Sequence, residues 1–157
     1  MKKRAIVIMG VSGSGKSTIG QLLADDAGGK FFDGDDFHPP ENVVKMASGS
    51  PLDDEDREGW LESLAQLIAR EDGLIVIACS ALKDRYREVL SGADFVFLKG
   101  DRALIEARLR ARADHYMPPS LLDSQFADLE VPADALTLEV EQSPEELVAL
   151  LRNHFNL

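Results

Sequence analysis

Three groups of residues in this chain have the types and spacing to handle phosphate. The first is Gly10-Val11-Ser12-Gly13-Ser14-Gly15-Lys16-Ser17, followed by Thr18. It has the form G-x-x-x-x-G-K-[ST], a loop whose successive N–H groups cradle phosphates at the start of a helix. Glycines permit positive φ and a close approach of backbone to an anion. Lys16 would place a mobile cation on the outer phosphates, and the Ser17 hydroxyl is the expected Mg²⁺ ligand. A plain strand-to-helix turn would need neither the extra glycines nor Lys followed by Ser.

The second group is Asp33-Gly34-Asp35-Asp36-Phe37-His38-Pro39-Pro40. Transfer of a phosphoryl group to a hydroxyl needs a metal ligand and a group that orients the nucleophile or takes its proton. Two carboxylates separated by one glycine at a strand end could supply both. A solvated acidic turn is the competing reading; it suits Asp36, whereas Asp33 and Asp35 are read as functional. His38 could bond a polyol or a carboxylate, or merely fix the turn before two prolines.

The third group is basic. Arg57 lies in the acidic run Asp53–Glu58, where it could pair with its neighbours or hold a substrate carboxylate bidentately. The small residues around Ser80 at a strand end leave room for a substrate. Lys83 and Arg87 lie one helical turn apart, a spacing that a basic surface helix also explains. Arg102, Arg108, Arg110 and Arg112 cluster ahead of the Pro-bearing segment Asp114–Pro119. Arg108 and Arg112 share a helix face and could close over the transferring phosphate or stack on adenine.

These residues need a frame that brings them together. Strands are expected at Arg4–Met9, Lys30–Asp33, Leu74–Cys79, Phe95–Lys99 and Leu136–Val140, from short apolar runs. Helices are expected at Ser17–Ala27, Glu41–Ala47, Asp54–Arg70, Lys83–Leu90, Asp101–Ala113, Leu121–Leu129 and Pro144–Phe155. The last opens with Ser143-Pro144-Glu145-Glu146, a capping box with Pro in the first turn. Alternation of strand and helix implies a parallel sheet covered on both faces, with ligands at the carboxyl ends of the strands. Gly34–Pro40, Ser48–Asp54 and Asp114–Pro119 are read as irregular substrate or lid segments. Trp60 is expected in the core, and Cys79 as a buried inert thiol.

The chain has 157 residues, enough for one domain (1–157) with a substantial core. Its net charge of −11 argues against nucleic acid or an anionic membrane as partner. It also requires that the cations around an anionic nucleotide be placed specifically. A single cysteine rules out an internal disulfide and suits a reducing compartment. The basic start Met1-Lys2-Lys3-Arg4 runs into only five apolar residues before the glycine loop, which reads as a strand, not a signal peptide, in a cytoplasmic protein.

Taken together the motifs resemble the gluconokinases, small P-loop carbohydrate kinases that phosphorylate D-gluconate with ATP. The matching stretches are MGVSGSGKST at 9–18, FFDGDDFHPPENVVKMASGSPLDDEDREGW at 31–60, IACSALKDRYREVL at 77–90, FLKG at 97–100 and RLRARADHYMPPSLLDSQFADLE at 108–130. The resemblance implies a three-layer α/β P-loop kinase fold. Its five-stranded parallel sheet would have helices on both faces and a lid (about 112–122), similar to shikimate and nucleoside monophosphate kinases. ATP and Mg²⁺ would be the cofactors. The loop Gly10–Thr18 with Arg108 and Arg112 would bind the nucleotide, and Ser17 and Asp33 the metal. Asp33, Asp35, His38, Arg57, Ser80, Lys83 and Arg87 would surround gluconate. Lys16, Asp35 and Arg112 would serve catalysis, Asp35 as orienting group or base. A homodimer is implied by the resemblance alone. The alternatives are a kinase of the same fold acting on shikimate or another sugar acid, and a nucleotide-binding regulatory module without chemistry.

Overall fold

The central strands are continuous apolar runs because both of their faces are covered. In the computed structural model, which describes residues 3–111 and 119–157, β1 (Arg4–Met9) and β3 (Leu74–Ala78) are buried nearly throughout. They pair with β2 (Lys30–Asp33), β4 (Asp94–Lys99) and β5 (Leu136–Glu139) in one all-parallel sheet of order β2-β3-β1-β4-β5. Alternation along β1 feeds two cores. Ala5, Val7 and Met9 pack with Trp60, Leu64 and Leu67 of α3 (Asp54–Arg70) and with Tyr86 of α4 (Asp84–Val89). Ile6 and Ile8 pack with Ile19 and Leu23 of α1 (Lys16–Ala27) and with Leu147 and Leu151 of α7 (Pro144–Phe155). Each such fully buried aliphatic side chain contributes about 1.5–3 kcal/mol.

Three further helices complete the layers: α2 (Pro40–Ala47), α5 (Arg102–Ala111) and α6 (Pro119–Asp128). A small third cluster ties α5 and α6 to the glycine loop through Val11, Leu82, Ile105 and Leu122. The expected elements are present with ends displaced by a residue or two. The Gly34–Pro40 stretch contains a single 3-10 turn, Gly34–Phe37, capped by the Asp33 carboxylate on Asp35 N–H. The expected lid (about 112–122) falls mostly outside the described residues, as do Arg112 and the expected end of α5 at Ala113.

Two caps differ from the sequence reading. At α7 the Ser143 hydroxyl accepts from Glu146 N–H and donates to the Glu146 carboxylate, so the reciprocal half of the box is not made. The full box is at α3, where Asp53 and Asp56 each accept the other's backbone N–H. The acidic run before α3 is therefore a cap as well as a complement to the helix dipole. Among the described residues no helix is long and apolar enough to cross a membrane.

Candidate active site

The glycine loop leaves β1 with positive φ at Gly10 (152°), Gly13 (84°) and Gly15 (99°). Gly15 is the N-cap of α1 and no side chain caps that helix end. The first-turn N–H groups are thus directed out of the helix end, where the helix dipole favours an anion. Lys16 Nζ lies over the loop, 2.9 Å from the Val11 carbonyl. On the α7 side a cavity of about 280 Å³ is lined by Gly13, Gly15, Thr18, Arg108 and Gln142. Arg108 is fixed at its wall by donating to the Val140 carbonyl at 2.6 Å.

The acidic turn stands at the end of β2. Asp33 uses one carboxylate oxygen to cap Asp35 N–H at 3.0 Å and the other to accept from Ser17 Oγ at 3.4 Å. Mg²⁺ in nucleotide sites takes one or two protein oxygens at about 2.1 Å and fills its octahedron with phosphate and water. A hydroxyl and a carboxylate oxygen this far apart at the mouth of the loop fit that mode. Among the described residues no cluster of three or more acidic, His or Cys side chains forms a dedicated metal cage.

Three contacts hold the turn in place. Trp60 Nε1 donates to the Gly34 carbonyl at 2.8 Å, and the His38 ring stacks on Trp60 with centroids 4.4 Å apart and planes 10° apart. Gly34 itself abuts β3 so closely that an added Cβ would lie 2.6 Å from the Ala78 carbonyl oxygen. The Asp35 side chain is left 73% exposed to the cleft, while that of His38 is 4% exposed with Nε2 3.9 Å from Asp35 Oδ1. Burial, and secondarily the Arg57 charge, hold the His38 pKa down to about 4, so the ring is neutral near pH 7.

Arg57 and Lys83 converge on one cluster. Arg57 Nη1 donates to Tyr86 Oη at 2.8 Å and to Asp128 Oδ2 at 3.3 Å. Lys83 Nζ and Arg85 Nη1 donate to the two oxygens of Asp54, which also accepts from the Tyr86 hydroxyl. The hydrogen bond from Tyr86, then that from Lys83, lower the Asp54 pKa to about 2. Three cations thus face two carboxylates, an excess of positive charge suited to an anionic substrate.

Arg87, expected beside them, is directed elsewhere. It is buried and donates to the carbonyls of Ala81 (2.7 Å) and Glu130 (2.8 Å) and to the Asp84 carboxylate. Ala81 has φ of 42°, a left-handed conformation that costs an L-residue about 1–2 kcal/mol. Arg87 therefore braces the turn after β3 that carries the half-buried Ser80. Cys79 is fully buried and burial pushes its thiol up to about 12, an inert group. Trp60 is in the core as expected.

Two polar residues of the site went unnoticed in the sequence. Gln125 of α6 grips the glycine loop, accepting from Ser12 N–H at 2.7 Å and donating to Ser12 Oγ at 3.2 Å. Asn42 of α2 is buried beneath His38, while its neighbours Val43 and Val44 face outward at 51% and 69% exposure. The inverted order of polar and apolar residues in α2 was the available signal for Asn42. Nothing local marks Gln125, because its partner is 113 residues away.

A family model described as shikimate kinase matches residues 12–135. The chain is 42% identical to the gluconokinase of Gluconobacter oxydans (strain 621H), over 99% of this chain and 93% of that protein. It is 42% identical to the thermoresistant gluconokinase of Escherichia coli (strain K12), over 91% and 88%. The crystal structure of a gluconokinase from Sinorhizobium meliloti 1021 superposes with a TM-score of 0.86 at 38% identity, covering 98% and 96%. A shikimate kinase from Bacteroides thetaiotaomicron shares the fold, with a TM-score of 0.73 at 18% identity over 98% and 99%.

Proposed function

The chain belongs to the shikimate kinase family and, within it, to the gluconokinases, and from that premise we propose that it transfers the γ-phosphoryl group of ATP to D-gluconate, giving ADP and 6-phospho-D-gluconate. The observation that carries the reading is the Asp33-Gly34-Asp35 turn, hung at the mouth of the glycine loop through Ser17. It sets an exposed carboxylate beside the place where the outer phosphate would lie. The 42% identity to gluconokinases, against 18% to a shikimate kinase of the same fold, favours the sugar acid over the cyclic acid.

In this reading the loop amides and Lys16 hold the phosphate tail, and Arg108 closes the nucleotide side. Mg²⁺, held by Ser17 and Asp33, would neutralise charge on the phosphates. The gluconate carboxylate is drawn toward Arg57 and Lys83, in the cluster where these two and Arg85 meet the carboxylates of Asp54 and Asp128. Ser80 borders that pocket, and Arg87 shapes it through the Ala81 turn. Asp35 then orients the terminal hydroxyl in line with the γ-phosphorus. The new bond joins that oxygen to phosphorus, the β,γ-bridging bond breaks toward ADP, and the hydroxyl proton departs by way of Asp35. The cytoplasm, where ATP and a reduced Cys79 coexist, is the proposed compartment.

ADP release measured side by side on gluconate, shikimate and nucleoside monophosphates tests the assignment. Gluconate is expected to be turned over and the others not; brisk shikimate turnover without gluconate turnover would overturn it. Asp35→Asn is expected to lower kcat by about 10²-fold or more, with ATP affinity within about threefold. An equal loss in both would make Asp35 a structural residue.

A further inference from the structure

We propose that Asn42 is a positioning residue that fixes the tautomer of His38, so that an Nε2–H donor, and not a lone pair, faces Asp35. The proposal rests on the reading of Asp35 as the group that orients the acceptor hydroxyl. Its structural basis is separate and lies in the donors and acceptors around one buried amide.

Asn42 Nδ2 lies 2.8 Å from the backbone carbonyl of Asp56 and 3.2 Å from His38 Nδ1. A carbonyl oxygen only accepts, so the amide end facing Asp56 must be the NH₂ group; the flipped amide would oppose two oxygens. One amide hydrogen goes to Asp56 and the other reaches His38 Nδ1. Nδ1 must then present its lone pair, and a neutral imidazole carries its proton on Nε2. The ring cannot readily exchange its two edges, because it lies flat on Trp60, which is itself pinned by its N–H to the Gly34 carbonyl.

The consequence appears at the other edge of the ring. Nε2 is 3.9 Å from Asp35 Oδ1, beyond hydrogen-bond length but within electrostatic reach. With hydrogen on Nε2, the ring dipole attracts that oxygen and a shift of about 1 Å makes a hydrogen bond. With hydrogen on Nδ1, a lone pair would face a carboxylate and push it away. Asn42 thus acts on Asp35 through one intermediary, the His38 ring, by a chain that begins at the Asp56 main-chain carbonyl and has one consistent assignment of hydrogens.

The test is long-range ¹H–¹⁵N correlation of the imidazole nitrogens near pH 7, with His38 assigned by H38Q. The wild-type ring is expected to show the Nε2–H pattern, with Nδ1 unprotonated. In N42D the donor becomes an acceptor of the same shape, and His38 is expected to take a proton on Nδ1. Turnover of gluconate should fall about 10- to 100-fold with KM for ATP within twofold. N42A, which removes the constraint without adding a charge, should give a mixed pattern and a smaller loss. In an H38Q background, where the side-chain amide has no tautomer to set, N42D should lower kcat less than twofold further. A wild-type ring protonated on Nδ1 would overturn the proposal, and so would an unchanged ring pattern in N42D and N42A. So would an equal N42D penalty in both backgrounds, which would make Asn42 merely structural. The imidazole spectrum decides the tautomer even if gluconate proves not to be the substrate.

Discussion

Gly34→Ala tests whether the acidic turn works by its position. A Cβ at residue 34 would stand 2.6 Å from the Ala78 carbonyl oxygen, 3.2 Å from Cys79 Cβ and 3.3 Å from Cys79 Cα. Two of these three atoms are backbone, one in the last residue of β3 and one in the buried residue that follows it, and cannot swing aside. Restoring ordinary contact needs a displacement of about 0.8 Å, and the side that yields is the turn. That movement carries Asp33 and Asp35 together, strains the Trp60 bond to the Gly34 carbonyl, and widens the gap from Asp33 to Ser17. Overpacking of this kind costs about 1–3 kcal/mol of stability, and a misplacement near 1 Å lowers turnover about 10²-fold. The assay is gluconate-dependent ADP release with KM for both substrates, alongside thermal unfolding. We expect kcat to fall about 30- to 100-fold, KM for ATP to change by less than about threefold, and Tm to drop roughly 3–10 °C. A variant with wild-type kcat and a lowered Tm would refute the reasoning, since the turn would then have moved without consequence for chemistry.

Removing the clasp on the glycine loop with Gln125→Ala forfeits two hydrogen bonds to Ser12, each worth about 1 kcal/mol net. KM for ATP should rise about 3- to 10-fold with KM for gluconate little altered; a fall in KM for ATP would mean that Gln125 competes with phosphate for the Ser12 N–H. Acid should destabilise the protein through His38. Its folded-state pKa of about 4 lies below the ordinary 6.5, so the unfolded chain takes up a proton that the folded ring refuses. Stability is therefore lost as pH falls from about 6.5 toward 4, by about 1 kcal/mol between pH 7 and 5 after allowing for water at the cleft. Urea midpoints of wild type and H38Q at the two pH values measure it, and equal acid sensitivity in both would contradict it.

Much of the candidate site could be read along the chain because its parts are local. The Gly10–Ser17 loop is a run of backbone conformations, and the spacing of its glycines dictates them. Asp33, Gly34 and Asp35 form one turn, and their capping bond spans two residues. The strands and helices were legible for the same reason: burial on one face or two leaves a period in the sequence. The basic residues were not legible in this way. Arg57, Lys83 and Arg87 look alike as isolated cations near acids. Which of them faces the cleft depends on Asp128, Asp54 and the carbonyls of Ala81 and Glu130, which arrive from other elements.

The amino-acid sequence by itself determined the order of strands and helices, the phosphate loop and the acid pair, since each is written in residues that touch their own neighbours. Tertiary structure alone decided that β3 lies between β1 and β2, which lets Gly34 rest on Ala78 and hangs the acidic turn across from Ser17. It alone decided that Gln125 reaches Ser12 and that Asn42 turns inward beneath His38. The physical reason is that a polar side chain takes whichever partner the packed layers bring within about 3 Å, and sequence separation carries no record of that distance.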